Sequence, residues 1–522
     1  MEQSSVLQAM RNPGFYPEAT RKVELRETHI STLFLTDRFV YKVKKPVDFG
    51  FLDYTTLNAR RFFCEQELRL NRRLANDVYL QILPVRRQGD RITLTGEEGE
   101  VIEYVLKMRR LPADRMLDTL LMEGSVDREM IRRIALHLIG FHSRAESTPE
   151  ISIYGSPRRI RKNIEENFEQ TRSFIGETIE KNVFERIRND SRAFLDGNRS
   201  LLEKRVTEKK IRDCHGDLRP EHICVQEPIV IFDCVEFNRR FRYSDVACDL
   251  AFLAMDLDFF EQPELSRHLV HNYARYTRDI DLLRLIRFYK SYRAYVRGKV
   301  ESMKAKDPAL PAGEKERTRR AARRYFALAG TYTGARPYLI ITCGLTGTGK
   351  STLALRLAQD LDLPLFRSDL VRKELAGIPA SAHQDVPFGE GIYGEAMSRW
   401  TYDALLERGE EELRKGNPVL LDAAFLKKEE RKKAGKLAQK MNARFFVIET
   451  RCPEETAMQR IRKRHQERDD PSDGREEIYH AQKERFDPVT GLPDGPHIVV
   501  STADRGDPAL RVEMEILLAV ET

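Results

Sequence analysis

The chain has 522 residues, 41% of them hydrophobic and 33% charged, with a formal net charge of +7. That length exceeds one ordinary core and predicts two or three domains, and no run approaches 18 apolar residues, so no membrane span is expected. The opening stretch MEQSSVLQAMRNPGFYPE lacks the basic-then-apolar order of a signal peptide, and seven scattered cysteines suit reduced thiols, so the expectation is a cytoplasmic, multidomain protein. Arginine-rich runs at 158–162 and 317–324 have acidic neighbours and read first as solvated helix faces, with a nucleic-acid surface as the alternative.

In chain order, residues 27–35 and 38–44 alternate as two strands of a hairpin joined at Thr36-Asp37. Residues 56–74 have helical periodicity that places Phe63, Glu67, Leu70 and Leu74 on one face. Strands are expected at 79–86, 91–94 and 101–108. From Arg128 the pattern is helical to about Gly330, apart from a β-like island at 210–233. A turn-rich break, DPALPAG at 307–313, precedes a basic helix and the loop TYTGARP at 331–337. Beyond it, YLIITC, LPLFRS, NPVLLDA, RFFVIET and HIVVST alternate with helical stretches, the rhythm of a parallel α/β sheet. Two domains are predicted, 1–330 and 338–522.

The second half carries the more specific motif. Residues 344–351, GLTGTGKS, complete G-x4-G-K-S between an apolar strand and a helix beginning STLALRL. Gly344, Gly347, Thr348 and Gly349 would let consecutive N–H groups ring phosphates at the positive end of the helix that Ser351 and Thr352 begin. Lys350 can reach the β- and γ-phosphates, and the Ser351 hydroxyl can ligate Mg2+. Asp422 ends an apolar strand at the carboxyl edge of the sheet, where it could hold the same ion. Asp369 and Arg372 form a D-x-x-R pair: the carboxylate could take a hydroxyl proton and the arginine grip an acceptor anion, although such pairs are also common surface ion pairs. Arg460 and Arg464, one turn apart on the helix over 454–466, precede the polar loop 469–474 and are placed to neutralise a transferring phosphoryl group.

Together with Ala423-Ala424-Phe425 and Arg431, these residues resemble the small P-loop kinases: gluconate kinase-like proteins, zeta-toxin-like kinases and polynucleotide 5′-hydroxyl kinases. The resemblance spans about 338–500 and implies phosphoryl transfer, with Arg431 and Arg372 toward the acceptor. No N-K-x-D guanine-reading motif is evident, which favours ATP.

In the first half, residues 214–225 read CHGDLRPEHICV, and the apolar run PIVIFDC ends beside Asp233 sixteen residues after Asp217. One aspartate acting on an acceptor hydroxyl and a second holding Mg2+ is a familiar kinase arrangement. Lys42 lies in FVYKVK and Glu67 on the next long helix, as a phosphate lysine and its steadying glutamate would. Lys44 shares the strand face with Lys42, so the two compete for that role.

With VYKVKKPVDFGFLD, CEQELRLNRRL, EYVLKMRRLP, HGDL and IFDCVEFN, the first half resembles aminoglycoside phosphotransferase-like kinases, a branch of the protein-kinase-like α+β fold. It is most similar to bacterial predicted kinases fused to a P-loop partner. The resemblance makes Asp217 the catalytic base, Asp233 the metal ligand and Lys42 the phosphate lysine. His215 would then brace the loop, and Asp245 and Asp249 would cap and brace. The absence of a Gly-rich loop, D-F-G and A-P-E argues against protein substrates.

His222 departs from the family pattern H-G-D-x4-N. Its nitrogen suits Mg2+ poorly, since that ion prefers oxygen. Three readings stand: His222 holds a softer ion such as Mn2+; it bonds a phosphate while one ion at Asp233 suffices; or the domain is a nucleotide-binding regulator. A zinc site from Cys214, His215, His222, Cys224 and Cys234 is the rival, without any C-x2-C pair to support it. The expected function is a bifunctional ATP-dependent phosphotransferase acting on hydroxyls of small polar metabolites, sugar- or aminocyclitol-like. The alternatives are a polynucleotide 5′-hydroxyl kinase, or an ATP-switched regulatory protein, with a regulatory first domain.

Overall fold

The computed structural model describes all residues except 1, 51, 309, 335, 380–389, 468–474, 491–495, 505, 521 and 522. The chain divides into two compact units, Met1–Thr333 and Gly334–Thr522. Among the described residues no helix is long and apolar enough to cross a membrane.

The first unit begins with a six-stranded antiparallel sheet: β1 (Glu24–Glu27), β2 (Ser31–Leu35), β3 (Phe39–Lys44), β4 (Tyr79–Gln88), β5 (Arg91–Thr93) and β6 (Glu100–Arg109), in the order β1-β2-β3-β6-β4-β5. The strand expected over 27–35 is confined to 31–35, with β1 ending at Glu27, because Thr28 turns the chain: its hydroxyl takes the Ser31 N–H and its N–H bonds the Ser31 carbonyl. One sheet face packs Phe34, Tyr41, Val43 and Val105 against Val6, Met10 and Tyr16. The other packs Leu106, Met108 and Tyr79 against Cys224 and Val230 of a small hairpin, β8 (Ile223–Cys224) with β9 (Val230–Ile231).

The helix Leu57–Asn71, capped by the Thr56 hydroxyl, buries Arg60, Cys64, Glu67, Leu70 and Asn71. The buried stripe keeps Glu67 and Leu70 of the expected face but takes Arg60, Cys64 and Asn71 in place of Phe63 and Leu74, because ion pairs decide it: Glu67 meets two lysines and Arg60 meets Glu103. Periodicity of apolar residues cannot anticipate a helix face buried through charge.

The remainder of the unit is helical and centres on Val246–Phe259, buried over all but its last turn. Asp245, Asp249 and Asp256 fall four and seven residues apart, which places them on one side of that helix. Asp245 caps it and forms a buried ion-pair set with Arg205, which Asp279 completes. Two short strands, β7 (Ile211–Asp213) and β10 (Tyr243–Asp245), pair antiparallel and bring the helix start beside the segment that follows β7.

The second unit is a five-stranded sheet in which every pairing is parallel. Its strands are β11 (Tyr338–Cys343), β12 (Leu365–Arg367), β13 (Val419–Asp422), β14 (Arg444–Arg451) and β15 (His497–Ser501), in the order β12-β13-β11-β14-β15. β11 is central and buried along its whole length, as continuous apolar runs covered on both faces require. The order reverses at β11, so ligands are expected at its carboxyl end.

Candidate active sites

In the first unit, residues 214–222 leave β7 and are stapled to the central helix. The Asp249 carboxylate accepts the N–H groups of His215 (3.0 Å) and Gly216 (2.8 Å) and faces His142 Nε2 at 3.1 Å. Asp256 accepts from Arg219 Nε at 2.9 Å, and Arg293 donates to the Gly216 carbonyl. Gly216 sits at φ +87°, where a Cβ would lie 2.9 Å from the Phe241 carbonyl oxygen, so no other residue fits without a shift. The loop is rigid because its backbone donors end on buried carboxylates, and Asp217 is left with a side chain 31% exposed.

His215 is fully buried, its Nε2 2.9 Å from the Phe232 carbonyl oxygen. Burial lowers it from 6.5 to about 4. Between those values the unfolded chain takes up a proton that the folded loop refuses, so acid favours unfolding. Stability of the first unit is expected to fall as pH drops from about 6.5 to about 4, by at most about 1.4 kcal/mol per pH unit, then level off for this group. Urea midpoints across that window should show the slope, and His215→Gln should flatten it.

Lys42 and Lys44 project from alternate positions of β3 onto the same glutamate. Lys42 Nζ is 2.8 Å from Glu67 Oε1 and 2.9 Å from Asp233 Oδ1; Lys44 Nζ is 2.7 Å from Glu67 Oε2 and 2.5 Å from Glu236 Oε1. Burial opposes each charge. Asp233 and Glu67 nevertheless hold Lys42 protonated well above its ordinary value, and the two lysines hold Glu67 below its own. Asp233 has its backbone at φ +62° and its N–H on the Tyr79 hydroxyl. Enclosure raises its carboxyl, but Lys42 and then His222 outweigh this and keep it well below the carboxylate range. Its side chain is 41% exposed, so the ion pair with Lys42 is the cause that counts. The geometry separates the lysines: Lys42 touches Asp233, and Lys44 is sealed with Glu236 and Tyr54, whose hydroxyl donates to Glu236.

His222 lies between the two aspartates. Its Nδ1 is 2.9 Å from the Asp217 carbonyl oxygen and 3.6 Å from Asp217 Oδ2; its Nε2 is 3.7 Å from Asp233 Oδ2. The cysteines and histidines weighed for zinc are not drawn together. Cys214 Sγ bonds the Ser244 carbonyl, Cys224 packs under the sheet, and Cys234 Sγ faces the His215 carbonyl and Arg73. Among the described residues the one convergent group of metal-type donors is His142, Cys214 and Asp249, already committed to bracing the loop.

In the second unit the loop Gly344–Gly349 joins β11 to the helix Lys350–Asp360. Gly344 and Gly347 have positive φ, and a Cβ on either would meet a backbone carbonyl oxygen, of Thr450 at 2.6 Å and Ala457 at 2.8 Å. Lys350 Nζ donates to the Leu345 carbonyl at 2.6 Å, and the Thr346 N–H donates to Gln482 Oε1 at 2.7 Å. Donors of this loop thus end on oxygen acceptors, as binding phosphate oxygens requires. Burial lowers Lys350, Asp422 opposes this and Arg464 adds to it. The Thr348 hydroxyl turns inward to Leu345 and Thr450, so Thr348 offers its backbone.

Gly347, Gly349, Lys350, Ser351 and Thr352 line a cavity of about 770 Å³, with Asp369, Arg372 and Asp422 on its wall and Arg460 and Arg464 opposite. Asp422 Oδ1 accepts from Thr342, and its Oδ2 is 3.6 Å from Arg367 Nε. Arg460 grips Thr502 through its hydroxyl and carbonyl, and Thr502 donates to the Thr348 carbonyl, tying the arginine helix to the loop. Ser351 and Asp422 present oxygen donors that fit Mg2+.

One expectation changes. Arg431 is not an acceptor ligand: it is fully buried and donates to the carbonyls of Phe425, Leu426, Asp487 and Pro488. It fixes the chain after β13, where Phe425 adopts φ +40°. Arg431→Met is expected to destabilise the second unit by about 2–4 kcal/mol through orphaned carbonyls, read as a lowered calorimetric transition. Arg372 lines the cavity; its Nη1 is held by the Ile392 carbonyl and Ser398 and its guanidinium covers the Tyr393 ring, while its Nε is buried without a hydrogen-bond partner. The loop 469–474 lies outside the described residues. Sequence reasoning passed over Glu236, Thr502 and Gln482; Glu236 stood in IFDCVEFN, three residues past Asp233, but nothing local tied it to Lys44.

Comparison with known proteins defines the class. The model of the Phosphotransferase enzyme family (APH) matches residues 61–286, and that of an AAA domain (AAA_33) matches 339–489. The chain is an ATP-dependent kinase in which a phosphotransferase domain of the aminoglycoside phosphotransferase type is fused to a P-loop kinase-like domain. It belongs to the same family as uncharacterized proteins of Mycobacterium tuberculosis strain H37Rv and Mycobacterium bovis, to each of which it is 30% identical over 431 residues, 82% of this chain and 83% of the relative. A choline/ethanolamine kinase family protein from Mesorhizobium loti is 14% identical over 63% of this chain and 100% of its own, with a TM-score of 0.36. A gluconokinase from Sinorhizobium meliloti 1021 is 22% identical over 36% of this chain and 94% of its own, with a TM-score of 0.24. At these scores the two structures carry no weight for fold or substrate.

Proposed function

We propose that both halves transfer the γ-phosphoryl group of ATP to hydroxyls of small polar metabolites, sugar- or aminocyclitol-like. The observation that carries this is the coincidence, in the first half, of a braced Asp217 with the Lys42–Glu67–Asp233 ion-pair set, beside a complete phosphate loop in the second. In the first half Asp217 accepts the acceptor hydroxyl proton, Lys42 meets nucleotide phosphates, and Glu67 with Lys44 holds Lys42 in place. In the second, loop N–H groups and Lys350 hold phosphates, Asp369 takes the proton, and Arg460 and Arg464 offset charge on the transferred group. Ser351 and Asp422 would hold Mg2+ there, and the ion would supply positive charge at phosphate oxygens.

The test is a screen of metabolites and oligonucleotides with γ-labelled ATP, run in parallel on wild type and on variants disabled in each half. Acceptors lost separately in the two variants support two active sites. Labelling of oligonucleotides alone, or ATP hydrolysis without any acceptor, would refute the reading.

A further inference from the structure

Three segments of the first unit meet beside the loop that carries Asp217 and bring cations together with too few carboxylates. The helix Ile280–Ala305 supplies Arg293, which donates to the Gly216 carbonyl, and Lys299, about 9 Å further along the axis. The short helix Arg239–Arg242 supplies Arg240, and the carbonyl of the next residue, Phe241, abuts Gly216. The helix Pro157–Thr171 supplies their partners. Arg240 Nε donates to Asn163 Oδ1 at 2.7 Å and its Nη2 pairs with Glu166, which Lys162 also approaches at 3.9 Å. Lys299 Nζ donates to Asn167 Oδ1 at 2.6 Å and to Gln170 Oε1 at 2.7 Å. An ammonium has three donors, so one N–H of Lys299 is left over, and Arg240 Nη1 has no partner among the described residues. Among the described residues no carboxylate lies within ion-pair distance of Lys299, so Glu166 alone serves Lys162, Arg240 and Lys299. Burial and the nearby Arg240 lower Lys299 from 10.5 to about 8, against the pull of Glu166, as expected of an enclosed ammonium without its own counter-ion.

We propose that Arg240 and Lys299 form an anion subsite of the first unit, which receives a carboxylate or phosphate group on the metabolite whose hydroxyl meets Asp217. A negative charge is what the cluster lacks, and the unused N–H groups of the guanidinium and the ammonium would give it charge-assisted hydrogen bonds. The amide oxygens of Asn163, Asn167 and Gln170 hold both cations in place without neutralising them. A cationic aminocyclitol would be repelled here, so the acceptor class narrows to sugar acids, sugar phosphates and similar hydroxylated anions. The inference rests on reading the first half as a small-metabolite kinase. Its test reads binding at one lysine as well as turnover, so a failure of that reading and a failure of the subsite are distinguishable.

The experiment is competitive acetylation of the full chain with acetic anhydride, read lysine by lysine by mass spectrometry. A non-hydrolysable ATP analogue and Mg2+ fill the nucleotide sites throughout. Glycerate or glycerol 3-phosphate should slow the labelling of Lys299 several-fold, and neutral glycerol should not. The more protective of the two anions assigns the group as carboxylate or phosphate. Arg240→Gln leaves Lys299 in place to be read and should reduce that protection by roughly tenfold. In first-half turnover, isolated in the Lys350→Ala background, Lys299→Gln should raise KM for anionic acceptors relative to neutral ones by roughly tenfold or more. Protection of Lys299 without any first-half turnover would keep the subsite and refute the kinase reading. Absence of protection by either anion, equal protection by glycerol, protection unchanged in Arg240→Gln, or an unchanged KM ratio in Lys299→Gln would overturn the proposal.

Discussion

Replacing Asp217 by alanine is expected to lower phosphoryl transfer by the first half by about 10²–10⁴-fold, with ATP-analogue affinity changed little. Its carboxylate is partly exposed on a loop whose backbone donors end on Asp249, so truncation removes the proton acceptor without releasing the loop. Lys42, Glu67 and Asp233 reach one another without Asp217, so the nucleotide side should persist. Single-turnover transfer and analogue binding on the same preparation separate the two effects. Retention of every acceptor activity by this variant would remove Asp217 from the chemistry. Asp249→Ala offers a contrast: it should cost activity together with stability, because the buried N–H groups of His215 and Gly216 would lose their acceptor.

Lys350→Ala should reduce transfer by the second half by about 10²–10³-fold, the usual effect of removing one preorganised charge from a phosphoryl site. The lysine begins a helix whose N–H groups remain after truncation, so nucleotide binding weakens less than turnover. Burial already holds Lys350 below its ordinary value with Asp422 opposing, so the charge is poised beside the carboxylate. The variant should leave first-half activity intact. An equal fall in both activities would mean that the halves do not work as separate catalysts.

The two loop motifs were legible in the amino-acid sequence for the same reason. GLTGTGKS and HGD encode backbone geometry over a few consecutive residues: glycines at positive φ, where a side chain would strike a carbonyl, and a polar group at the start of a helix or turn. The alternation of apolar strands and helices likewise announced the parallel sheet, because a strand covered on both faces must be apolar throughout. The hairpin joined at Thr36-Asp37 pairs as expected, but the start of its first strand and the buried face of Leu57–Asn71 were less well read, since a turn at Thr28 and a stripe of buried charges leave little apolar periodicity.

Partner choice between distant segments was decided by packing alone. Lys42 and Lys44 are indistinguishable as letters two residues apart, yet one reaches Asp233 and the other is sealed against Glu236, some 190 residues downstream. Arg431 resembled an acceptor ligand until burial placed it among four backbone carbonyls, which a guanidinium with five donors satisfies better than any other side chain. His222 could be recognised from the sequence as a departure, but not as a nitrogen aimed at two carboxylates, because its direction depends on the Asp217 carbonyl and on how β8 and β9 bring Asp233 back to it. Short-range backbone geometry is written in consecutive residues; the pairing of charges depends on which surfaces exclude water together, and only the folded chain decides that.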